Sequence, residues 1–85
     1  MPSPPRDGSV CLGGMPWLAR MIDKSRLSDI DKEVLDLDYP CPMDQQLLRK
    51  LGISSCDFQA ITLANPADVD VLKALQAKGI AVEIS

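Results

Sequence analysis

The chain has 85 residues and a mass of 9.2 kDa, room for one small domain. With 46% apolar and 25% charged residues it has the composition of a folded globule, and a net charge of −3 argues against a general nucleic-acid or anionic-membrane binder. It contains no histidine, which removes imidazole acid–base chemistry and histidine ligation of metals.

Residues 1–9 hold three of the seven prolines and a single apolar side chain, Met1. Such a segment gains too little by burial to offset the ordering of its backbone, so a disordered arm is expected over 1–9 and one small domain over 10–85. The apolar residues that follow are interrupted by Gly13, Gly14 and Pro16, so no secretory leader is expected. No apolar run approaches the ~18 residues of a membrane span, and the expected compartment is the cytoplasm.

A first helix is predicted over 16–27, opened by Pro16, whose missing N–H has no partner to lose in a first turn. At 100° per residue Trp17, Leu18, Met21 and Ile22 share one arc with Ser25, while Arg20, Asp23, Lys24 and Arg26 fill the opposite arc. Asp23 lies three residues from both Arg20 and Arg26, within reach of local ion pairing. Segment 28–38 carries five acidic residues against Lys32 alone, a local charge of −4. It is expected to be a connecting loop, with extended character over 33–39 as the alternative, anchored to the core by Ile30, Val34, Leu35 and Leu37. Tyr39-Pro40-Cys41-Pro42 then forms a rigid elbow, because a residue before proline is kept out of the helical region.

The second helix runs from 42 or 43 to 51, with Met43, Leu47, Leu48 and Leu51 inward. Asp44 stands in its first turn, Arg49 and Lys50 in its last, and Gly52 after it. A third helix takes Ser54 or Ser55 as N-cap and turns Phe58, Ile61 and Thr62 inward up to Leu63. A fourth is capped by Asn65, starts at Pro66, buries Val69, Val71, Leu72 and Leu75, and ends at Lys78-Gly79. The alternation over 80–85 is strand-like, with Val10 to Leu12 as its only evident pairing partner. The fold class is therefore mainly α: a single-domain bundle of about four short helices, with a short C-terminal β-strand as a further element.

Cys11, Cys41 and Cys56 are odd in number and widely spaced, which fits neither a disulfide framework nor a C-x-x-C site, and a zinc site would need a carboxylate or an outside ligand as its fourth group. They are expected to be reduced. Cys41 alone keeps a catalytic alternative open, because it precedes a predicted helix whose N-terminus would lower a thiol pKa.

Two segments resemble the bacterial family known as domain of unknown function 5069. One is Leu12-Gly13-Gly14-Met15-Pro16-Trp17-Leu18-Ala19-Arg20-Met21-Ile22-Asp23-Lys24-Ser25-Arg26-Leu27. The other is Tyr39-Pro40-Cys41-Pro42-Met43-Asp44-Gln45-Gln46-Leu47-Leu48, continuing to Leu51-Gly52-Ile53. The likeness spans about residues 12–56. It implies a small, mainly helical, cytoplasmic bacterial protein and carries no established activity with it. Tyr39 and Asp44 match the aromatic connection and the acid of the second segment.

The polar arc of the first helix beside the Gly13-Gly14 turn is the best candidate site, with Arg20, Asp23, Lys24 and Arg26 as its charged members. Glycines allow close backbone approach and a helix N-terminus offers free N–H groups to an anion. No Gly-Lys-Ser/Thr follows, so this is not a P-loop. The competing reading is a solvated face whose charges pair among themselves and with the acidic segment 28–38. Asp23 and Asp44 as a carboxylate pair are a further option.

The function expected from these features is a protein-interaction module acting through a charged helix face or the acidic segment. The alternative is a small anionic-metabolite-binding domain or accessory enzyme subunit, and a Cys41-dependent enzyme is the third option. The balance is against an enzyme. No cofactor, metal, nucleic acid or membrane is expected as a ligand. A homodimer through an edge strand at 80–84, from Ile80 to Ile84, is the other expected association.

Overall fold

Gly13 and Gly14 reverse the chain between two short antiparallel strands, β1 (Cys11–Leu12) and β2 (Met15–Pro16), with Leu12 opposite Met15. Both glycines have positive φ, 61° and 78°, where a side chain would be strained. The computed structural model describes residues 3–83. Five helices follow the hairpin: α1 (Leu18–Arg26), α2 (Asp29–Val34), α3 (Pro42–Leu51), α4 (Ser55–Ala64) and α5 (Asp68–Ala77).

The mainly helical class is confirmed, with three corrections. Among the described residues there are five helices, not four, because Ser28 caps a short helix inside the segment expected to be a loop. Its side chain accepts the Asp31 N–H at 3.1 Å, and Asp29 and Asp31 favour the positive end of α2. The strands lie near the N-terminus rather than the C-terminus. Residues 80–83 form no strand, although the Glu83 N–H reaches the Gly13 carbonyl at 3.1 Å. Ile84 and Ser85, also part of the expected strand, lie outside the described residues, as do Met1 and Pro2 of the expected arm.

Helix boundaries differ where tertiary contacts override local signals. Pro16 belongs to β2, and the N-cap of α1 is Trp17 with φ 74°, a left-handed conformation costing a bulky residue about 1–2 kcal/mol. The indole is fixed from two sides, by Gly8 beneath its ring and by Asp44 at its Nε1. A Cβ on Gly8 would come within 2.3 Å of the ring. Asn65 caps the end of α4 rather than the start of α5: its backbone N–H and its side-chain amide both donate to the Ile61 carbonyl. The N-cap of α5 is Ala67. In α3 and α4 the expectations hold, with Gly52 left-handed at the end of α3 and Ser54 capping α4.

The core joins Leu18, Met21 and Ile22 of α1 to Leu47, Leu48 and Leu51 of α3. Phe58 and Ile61 of α4, Val71, Leu72 and Leu75 of α5, and Val82 of the tail complete it. Met43 and Val69, expected inside, are exposed. So are Ile30 and Val34, and no residue of α2 is buried. α1 and α4 meet through Ser25 and Thr62, whose hydroxyls lie 2.6 Å apart in the buried interface.

Candidate functional site

The charged arc of α1 is occupied from within the chain. Arg6, in the segment expected to be a disordered arm, donates through Nε and Nη2 to Asp23. Through Nη1 and Nη2 it also binds Asp68, in the first turn of α5, at 2.7 and 3.0 Å. What holds this residue is charge, not apolar burial, which is why a count of apolar side chains misses it. The two carboxylates push the Arg6 pKa upward, Asp68 contributing most, and the guanidinium holds the Asp68 carboxyl below its ordinary value.

Asp23 thus pairs with Arg6 rather than with Arg20 or Arg26. Arg20 donates to the Arg6 carbonyl at 3.2 Å and lies over the Trp17 ring, 5.4 Å from its centroid. Arg26 donates to the carbonyls of Thr62 and Asn65, covering acceptors at the C-terminal end of α4.

Lys24 departs furthest from expectation. Instead of facing solvent it is 2% exposed, and its Nζ lies 2.7 Å from the fully buried carboxylate of Asp44. Asp44 also accepts the Trp17 Nε1–H at 2.7 Å and the Cys41 N–H at 3.1 Å. The sulfur of Cys41, the N-cap residue of α3, stands 3.2 Å from the same lysine Nζ. The structure therefore gathers Trp17, Lys24, Cys41 and Asp44 from two separated sequence segments into one polar cluster at the start of α3. Asp23 and Asp44 hold separate cations and form no carboxylate pair.

In the chain, β2 lies between Gly13-Gly14 and the start of α1. Gly13 packs against Leu72 and Val82, and the Glu83 carboxylate lies against Gly14, an arrangement that repels an anion.

Tyr39 borders a different surface. Its hydroxyl donates to the Ser55 carbonyl at 2.8 Å, and burial raises its pKa, with Asp44 and Cys56 adding to the shift. Lys32 of α2 lies over its ring at 5.5 Å. Around them Asp29, Glu33, Asp36, Leu37 and Asp38 line an open groove of about 340 Å³. Beside this groove Ile30 and Val34, one helical turn apart on α2, are 73% and 56% exposed. Segment 28–38 does not neutralise α1: its own cation, Lys32, pairs locally with Asp29. The sequence signal for this surface is the acidic run itself, while Ile30 and Val34, expected as core anchors, are exposed.

No group of three His, Cys, Asp or Glu side chains among the described residues is placed to hold a metal ion. None of the described helices is long and apolar enough to cross a membrane. All three cysteines are free, Cys11 and Cys56 exposed and Cys41 partly buried.

Together these features define a small helical domain with Arg6 and the cations of α1 turned onto its own acids and carbonyls and with one acidic helix left uncovered. The chain belongs to the family described as Domain of unknown function (DUF5069), which it matches over residues 2–83. That match extends past the two segments that carry the resemblance and takes in the N-terminal segment with Arg6, α2, α4, α5 and the start of the tail. No curated protein and no solved structure matches the chain.

Proposed function

We propose that this protein is an interaction module of the bacterial cytoplasm that docks a basic, amphipathic protein segment on α2 and the groove beside it. The observation that carries this reading is the exposure of Ile30 and Val34 on a helix with no fully buried residue. A helix of six residues is too short to stand by itself, and one without core contacts gains its main stability by packing on something else. Five acidic residues over 28–38 specify the partner's charge, since Lys or Arg side chains flanking an apolar stripe would meet carboxylates around Ile30 and Val34. Tyr39 supplies an aromatic wall and Lys32 a single internal counter-charge. The free cysteines support a reducing compartment.

The docking face is thus the acidic segment rather than the α1 arc, whose Lys24 is inside the protein. A fluorescent peptide alternating Lys and Leu serves as the probe. Its anisotropy should rise with the full chain, and its affinity should fall with added salt and at least tenfold in the Ile30→Ser/Val34→Ser variant. Amide shifts confined to 28–39 would locate it. Equal affinity for the variant, or shifts centred elsewhere, would reject this surface, as would self-association of the chain blocked by the same substitutions, which would make a second copy the occupant.

A further inference from the structure

Cys41 differs from the other two thiols in its surroundings. It is partly buried at the N-cap of a ten-residue helix, and its sulfur lies 3.2 Å from an amine that is itself almost completely enclosed. The thiolate is the form of a cysteine that oxidants attack. The amine beside the thiol is the Lys24 Nζ, at 3.2 Å, and behind it stands the Asp44 carboxylate, 2.7 Å from the same nitrogen.

We propose that Cys41 and Lys24 form an oxidative modification site, in which peroxide converts their contact into a reducible sulfur–nitrogen bond. In the first step the Cys41 thiolate attacks hydrogen peroxide. The sulfur takes one oxygen, the O–O bond breaks, and the departing hydroxide leaves as water with the proton the thiol has lost. Sulfur is oxidised by two electrons and peroxide is reduced. In the second step Lys24 passes one proton to Asp44, and its freed lone pair attacks the sulfenic sulfur. The N–S bond forms and the S–O bond breaks, the leaving hydroxide taking a second proton from the same nitrogen as water. One thiol, one ammonium, one carboxylate and one hydrogen peroxide become one sulfenamide, one carboxylic acid and two waters. Because Asp44 ends protonated, the reaction leaves no unpaired charge in the buried site, which is what lets it proceed without opening the fold. The product ties α1 covalently to the start of α3.

The test uses the full chain carrying Cys11→Ser and Cys56→Ser, both exposed positions, so that no disulfide within the chain can form. After treatment with hydrogen peroxide, intact mass spectrometry should show a species lighter than the reduced protein by two hydrogens. Its tryptic digest should contain a peptide uncut at Lys24 and joined to the Cys41 peptide, and dithiothreitol should restore the original mass. A product carrying only added oxygen on Cys41, a disulfide-linked dimer, or a two-hydrogen loss that maps to another nitrogen would overturn the proposal. Lys24→Arg keeps a cation for Asp44 and should give oxygen adducts without the linked peptide. Should that variant not fold, the digest of the Lys24 protein decides the matter.

Discussion

Asp44 accepts hydrogen bonds from Trp17, Lys24 and Cys41, so one carboxylate ties the entry of α1, the last turn of α1 and the N-cap of α3 together. Asp44→Ala would leave the Lys24 ammonium enclosed without a counter-charge, and a loss of about 3–5 kcal/mol is expected. Lys24→Met should cost less, about 2 kcal/mol, because Asp44 keeps two N–H donors and the positive end of α3. Urea unfolding at neutral pH checks the order, and a larger loss for Lys24→Met would show that the lysine, not the acid, organises the cluster. The Arg6 clamp is a different case, since arginine and acids are each about a third exposed or slightly less. Solvent screening holds the expected cost of Arg6→Ala to about 1 kcal/mol. Its pH dependence follows from Asp68, whose folded pKa lies below the ordinary 3.8. A lowered folded value contributes stability that is full above the unfolded pKa and is lost as pH falls through the folded one. The gap in melting temperature between wild type and Arg6→Ala should therefore be constant near neutrality and close below pH 3.8; a gap unchanged in acid would remove Asp68 from the account.

At the scale of elements, α2 and α4 begin with the same device, a serine accepting the N–H three residues on, at 3.1 Å in each. What differs is the packing behind the cap. α4 buries Phe58, Ile61 and Thr62, whereas α2 has no fully buried residue. Ser54→Ala is thus expected to lower global stability by about 1 kcal/mol. Ser28→Ala should leave the global value nearly unchanged and instead speed amide exchange at Asp31 and its neighbours, because fraying of α2 exposes no core. Equal global losses would mean that α2 is coupled to the core after all. The same contrast explains what could be read in advance. α3 and α4 announce themselves because cap, first-turn charge, apolar spacing and terminator agree within a dozen residues. The start of α1 does not, because Trp17 is left-handed for reasons held elsewhere in the chain, in Gly8 and Asp44. α2 was hidden by its acidity, and its apolar residues were assigned inward on the usual rule that Ile and Val are buried. In the polar cluster, Lys24 and Asp44 are separated by 20 positions, and no local pattern distinguishes a buried lysine on α1 from its solvated neighbours. The one clue was position, since Lys24 follows buried Met21 by three residues and so borders the apolar arc.

Across the whole molecule, the cations of the N-terminal segment, α1 and α2 are engaged within the chain, while Arg49, Lys50, Lys73 and Lys78 are exposed. Arg6, Arg20, Lys24, Arg26 and Lys32 each engage a carboxylate, a carbonyl or a ring, and segment 28–38 keeps its local charge of −4. The two opposed patches suggested by the sequence become one, because the basic α1 arc is consumed internally while the acidic segment is not. The tail is absorbed in a similar way. Val82 is buried among Leu72 and Gly13, its carbonyl accepts the Gln76 side chain at 2.8 Å, and the Glu83 N–H binds Gly13. Ile80 packs partly against the same core. These residues close the hairpin onto α5, so their first contribution is to the fold of a single chain rather than to pairing across a two-fold axis. Val82→Ala should cost about 2 kcal/mol, and a chain ending at Gly79 should melt well below the full chain. Light scattering distinguishes this from an edge strand whose only role is to join two copies. In that case removing 80–85 would halve the molecular mass, and Val82→Ala in the full chain would leave the melting temperature unchanged. A lowered melting temperature in both variants, at a mass unchanged but for the deleted residues, is the expected outcome, and it would assign the tail to the core of each molecule.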